Sequence, residues 1–107
     1  MMKFYFAEPV REGRCRALYP SHSIAAEMTF DTRALPYLGF WITNGGYRGD
    51  RCFAFEPATA YYDTWQCAFA NARLPLLSPG SEATLRLSLS LSPLDPQEET
   101  PCATPST

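Results

Sequence analysis

Residues 83–91 read ATLRLSLSL, alternating apolar with polar or charged side chains from Leu85 onward. Successive side chains of an extended strand point to opposite faces. Leu85, Leu87, Leu89 and Leu91 therefore share one face, and Thr84, Arg86, Ser88 and Ser90 the other. This predicts a half-buried strand, introduced by the turn Ser78-Pro79-Gly80. The same period recurs along the chain. Ile24, Ala26, Met28 and Phe30 alternate with Ala25, Glu27 and Thr29. Residues 51–56 form another candidate strand, stopped by Pro57, and residues 3–6 and 14–19 form shorter ones. Residues 36–43 are apolar on both parities, which predicts a central strand covered on both faces and ended by a tight turn at Asn44-Gly45-Gly46. Pro20-Ser21-His22-Ser23 reads as a turn between strands. Only residues 63–70 look helical, with Asp63 or Thr64 as N-cap. The expected fold is all-β, an antiparallel β-sandwich with one short helix.

A chain of 107 residues is about one domain. Residues 92–107 hold four of the ten prolines, three acids and no base, too little apolar material to pack, and are expected to be a disordered tail. The folded part is then residues 1–91. The net charge of -2 gives no electrostatic footprint for nucleic acid. No apolar run reaches the ~20 residues a membrane helix needs. The N-terminal stretch carries too short an apolar segment for a signal peptide. The four cysteines form no CxxC pair, and without a secretion signal they are expected to be free thiols in the cytoplasm. A single histidine, His22, leaves no multi-histidine metal site, and no metal or cofactor is expected. The eight arginines beside one lysine, Lys3, read as compositional bias rather than function.

Glu56 is the residue that chemistry singles out. Strand alternation places it with Cys52 and Ala54, opposite Phe53 and Phe55, on a face of small side chains ahead of a proline-stiffened loop. A carboxylate with open space above it can serve as a general base or accept hydrogen bonds from sugar hydroxyls. The competing reading is an ion pair with Arg48 or Arg51. Aromatic residues make up 14% of the chain, and Tyr47, Tyr61 and Tyr62 fall in expected loops on either side of Glu56. Ring faces beside a carboxylate suit carbohydrate, whose C–H faces stack while its hydroxyls take polar partners. Trp41, in the doubly apolar strand, is expected to pack in the core. Ser21-His22-Ser23 lacks the setting of a nucleophile elbow, and the glycines at 45, 46 and 49 are not followed by a phosphate-loop lysine.

Leu38-Gly39-Phe40-Trp41 leading to Gly45-Gly46, then Glu56-Pro57, then Asp63, then Leu77-Ser78-Pro79-Gly80, resembles the C-terminal part of aldose 1-epimerases. The resemblance spans roughly residues 4–91. It implies that residues 1–91 are part of a galactose mutarotase-like supersandwich. It also implies an activity: a glutamate takes the proton of the anomeric hydroxyl, a histidine protonates the ring oxygen, and ring opening and closure interconvert the anomers. Glu56 then takes the place of the catalytic base, with Tyr47, Tyr61 and Asp63 as sugar-binding candidates. The family's histidines and sugar-binding arginine have no counterpart here. The implied chain binds an aldose and is inactive alone. It would need a preceding portion, a partner chain or self-association. A non-catalytic carbohydrate-binding or protein-interaction β-sandwich is the alternative.

Overall fold

The computed structural model describes residues 1–97, and the elements follow from the alternation. They are β1 (Met2–Tyr5), β2 (Arg14–Tyr19), a 3-10 turn (Pro20–His22), β3 (Ile24–Phe30), β4 (Tyr37–Tyr47), β5 (Asp50–Ala58), α1 (Trp65–Ala70) and β6 (Leu87–Pro93). Over the described residues the fold is all-β, with two three-stranded sheets and one short helix. The helix is too short to cross a membrane.

The first unit comprises Met1–Gly13 with Phe30–Leu87 and contains the sheet β1-β4-β5. Both of its strand pairs are antiparallel. The doubly apolar strand, β4, is central as expected, with Tyr37, Leu38 and Gly39 buried and Phe40 and Trp41 half-buried. Its far end is less covered, and Ile42 is exposed. One face of the sheet carries a phenylalanine cluster. The Phe40 ring lies 5.5 Å from Phe4, 5.9 Å from Phe53 and 5.8 Å from Phe55, centroid to centroid.

The β4–β5 hairpin differs from expectation at its tip. Asn44-Gly45-Gly46 is not the turn: β4 runs on to Tyr47, and the ladder is irregular between Asn44 and Tyr47. The turn lies at Arg48 and Gly49, both at positive φ (55° and 80°), between the paired residues Tyr47 and Asp50. Two central residues at positive φ match the twist of the flanking strands. Gly45, at φ 85°, serves the irregularity instead. Pro57 does not stop β5 either. It stays in the ladder opposite Leu38, because β5 is an edge strand and an edge tolerates a residue without an N–H. The helix starts two residues later than residue 63: Thr64 is the N-cap, its Oγ1 accepting from the Cys67 N–H at 3.2 Å.

The second unit comprises Arg14–Thr29 with the chain from Ser88 onward, and holds the sheet β2-β3-β6. The β2–β3 hairpin turns at Pro20–His22, closed by Ser23 at φ 52°, whose N–H donates to the Pro20 carbonyl at 3.1 Å. Cys15 and Ala25 are buried. The leucine-rich strand departs from expectation in two ways. It begins at Leu87 rather than near residue 83, and all of its residues are exposed rather than half-buried. Alternation says which side chains share a face, not whether another layer packs on that face, and here both faces are exposed. The expected boundary at residues 91 and 92 falls inside β6. Beyond it Leu94 is buried, and its N–H donates to the Ser23 carbonyl at 2.9 Å. Residues 98–107, the rest of the expected tail, lie outside the described residues. Cys15, Cys52 and Cys67 are free thiols.

Candidate functional site

Register brings the site together on the face of β1-β4-β5 opposite the phenylalanines. Tyr5 pairs with Gly39 and Gly39 with Glu56, so all three lie in one row across the sheet. The next row is Lys3, Trp41 and Ala54. Gly39 has no side chain to separate Tyr5 from Glu56, and the Tyr5 ring lies over it. A methyl group at position 39 would come within 2.8 Å of that ring.

Lys3 reaches across this surface. Its Nζ lies 2.9 Å from Glu56 Oε2 and 2.6 Å from Asp63 Oδ1. Two carboxylates thus converge on one ammonium and leave one surplus negative charge. Glu56 Oε2 is shut off from solvent. The 2.9 Å contact is an ion pair without well-aligned hydrogen-bond geometry. The hydrogen bond to Asp63 first, and the contact with Glu56 second, raise the ammonium well above its ordinary 10.5. Lys3 therefore holds its proton throughout the neutral range. Its Nζ also lies 5.7 Å from the Tyr5 ring centre.

Tyrosines enclose the cluster. Tyr5 meets Tyr62 edge-to-face at 4.7 Å and Tyr61 at 6.2 Å, and Tyr61 lies 5.8 Å from Tyr37. Burial raises the Tyr5 hydroxyl above its ordinary 10.0. The segment carrying Tyr61, Tyr62 and Asp63 is tied down at several points. The Tyr62 hydroxyl donates to the Lys3 carbonyl at 3.5 Å, and the Tyr61 N–H donates to the Arg73 carbonyl at 3.2 Å. The Arg73 guanidinium stacks 5.0 Å from the Tyr61 ring centre and 5.7 Å from that of Tyr37, and donates to the Ala7 carbonyl. A cleft of about 300 Å³, lined by Pro36, Tyr37, Thr59, Arg73 and Pro75 among others, opens at this end. Glu56 and Asp63 do not line it.

Among the expected site residues, Glu56, Tyr61 and Asp63 come together. Tyr47 does not join them: it stands at the hairpin tip, half exposed, edge-on to Trp41 at 5.9 Å. The partner of Glu56 is Lys3 rather than Arg48 or Arg51. Sequence reasoning missed Lys3 and Tyr5. Alternation already put these two on one face of a strand, and Lys3 is the one lysine of the chain. What was missing was the pairing of β1 with β4. Among the described residues, no group of three or more His, Cys, Asp or Glu side chains could hold a metal ion.

Chemically, the arrangement offers carboxylate acceptors, an ammonium donor and ring faces within a few ångströms. It is poorly set for proton transfer as it stands. The carboxylate of Glu56 is compensated by a cation, and that cation is held too basic to act as an acid near neutrality. Comparisons with protein-family models, with curated proteins and with solved structures find no match to this chain.

Proposed function

We propose that this chain is a carbohydrate-binding protein of the aldose 1-epimerase kind, with a galactose mutarotase-like architecture, and that alone it binds an aldose without interconverting its anomers. The observation that carries this reading is the convergence of Glu56 and Asp63 on Lys3 beside Tyr5, Tyr61 and Tyr62. A pyranose presents a C–H-rich face and a rim of hydroxyls, and each finds its complement here. The rings take the C–H face, carboxylate oxygens other than the closed-off Glu56 Oε2 accept from hydroxyls, and the ammonium donates to oxygen. The sequence resemblance gives Glu56 the role of base toward the anomeric hydroxyl. Its pairing with Lys3 accounts for inactivity in isolation, since no neighbouring group supplies the acid at neutral pH. The free thiols of Cys15, Cys52 and Cys67 suit a cytoplasmic setting.

Titration of the chain with glucose and with galactose, followed by NMR, tests this proposal. Saturable shifts are expected at Tyr5, Tyr61, Tyr62 and Asp63. Glu56→Gln, which keeps size and removes charge, is expected to weaken binding about tenfold or more, the ~1.5–3 kcal/mol of a lost charged hydrogen bond. Polarimetry is expected to show no acceleration of mutarotation. Absence of saturable shifts with either sugar, or unchanged affinity in Glu56→Gln, would overturn the assignment. Rapid mutarotation would overturn the inactive form of it.

A further inference from the structure

Each of the two sheets has two edges, and three of the four carry features that keep an edge from recruiting another strand. β1 has Lys3, β2 has Arg14 and Arg16, and β5 has Asp50, Arg51 and Pro57. β6 has none of these along its length. Leu87–Pro93 reads LSLSLSP, with no charge, and its one proline is the last residue. Every residue of the strand is exposed, and Leu87, Leu89 and Leu91 are 55%, 65% and 69% accessible. An uncharged, exposed edge strand of alternating pattern is a template for strand addition.

We propose that β6 is a self-association edge, pairing antiparallel with β6 of a second copy of this chain about a two-fold axis at Ser90. The strand is its own complement in charge and pattern. About that axis Ser90 faces Ser90, and Leu89 faces the second copy's Leu91, so leucines lie on one face and serines on the other. No like charges meet, and an acidic or basic partner strand would find no countercharge on β6. The assembly closes as a dimer. Its outer edges are then the two β2 strands, which carry charged side chains of the kind that blunts an edge, Arg14 and Arg16 paired with Glu27. A stable interface uses about 20–30 residues a side, and β6 has seven, so the dimer is weak and reversible.

Sedimentation velocity of the full chain over a micromolar concentration series tests the proposal. A reversible monomer–dimer equilibrium is expected. Ser90→Lys sets two ammonium groups opposite each other across the axis, and Leu89→Lys sets a lysine against leucine in each of the two symmetry-related Leu89–Leu91 pairs. Each is expected to raise the dissociation constant at least tenfold. Circular dichroism checks that the β signal is retained. Should either variant fail to fold, hydrogen exchange of the unaltered chain decides the matter: protection of the β6 amides must rise with protein concentration. A chain that stays monomeric throughout would overturn the proposal and leave the edge to a different partner. A dimer indifferent to both substitutions, or β6 amides indifferent to concentration, would overturn it too and move the contact elsewhere, the phenylalanine face being the obvious place.

Discussion

Lys3 settles how Glu56 behaves. The ammonium lies between two carboxylates, each side chain between about a quarter and two fifths exposed, so solvent screens the pairs in part. Replacing it by methionine keeps the aliphatic stem and removes the charge. Glu56 Oε2, closed off from water, then faces Asp63 with no intervening cation. Lys3→Met is expected to lower stability by about 1 kcal/mol, read as a shift in the urea midpoint at constant slope. Glu56→Gln is expected to cost less in this assay, because Lys3 keeps Asp63. Equal losses from the two substitutions would mean that Lys3 serves Glu56 alone. None of this was legible beforehand. The sequence marks Glu56 by its place at a strand end, whereas its partner lies more than fifty residues away on a strand whose neighbour no local pattern names.

Elements were legible where a local signal was unambiguous. β2 and β3 fall where alternation puts them, because a proline-led turn separates them cleanly. Thr64 caps α1 as one of the two expected residues. The tip of the β4–β5 hairpin was misplaced because two glycine-bearing stretches compete for the turn, and sequence alone does not rank Asn44-Gly45-Gly46 against Arg48-Gly49. The ladder decides, by pairing Tyr47 with Asp50. Gly49→Val therefore forces a β-branched residue to φ 80° and is expected to cost about 1–2 kcal/mol. Gly46→Val, away from positive φ, is expected to cost less. Thermal melts of the two variants side by side give the comparison, and the reverse order would return the turn to residues 44–46. β6 was half legible. Its period was plain, but whether an alternating strand is covered depends on neighbours that the strand does not encode.

For the whole molecule, the shifted groups of the site contribute to the alkaline side of the pH profile of stability, beside the Cys15 thiol, which burial also raises. The pKa values of Lys3 and Tyr5 are both raised on folding, Lys3 by its carboxylate partners and Tyr5 by burial. In each case the folded chain binds the proton more tightly than the unfolded one. Their contribution is complete below the ordinary values of 10.5 and 10.0 and is lost as pH climbs through the raised ones. Unfolding free energy is expected to be level on their account across the neutral range and to fall above about pH 10. Urea titrations from neutral to strongly alkaline pH measure this. An alkaline limb undiminished by Lys3→Met combined with Tyr5→Phe would place its origin elsewhere, the buried Cys15 thiol included.

The pairing of Lys3 with Glu56 and Asp63 also has a history within each molecule's synthesis. The ribosome makes the lysine before either carboxylate, and at ordinary elongation rates about 3–10 s pass before Glu56 follows. For most of that interval β4 is still incomplete, and throughout it the ammonium has neither acid to bind. The charge cluster therefore closes late, only after β4, β5 and the segment carrying Asp63 have been made.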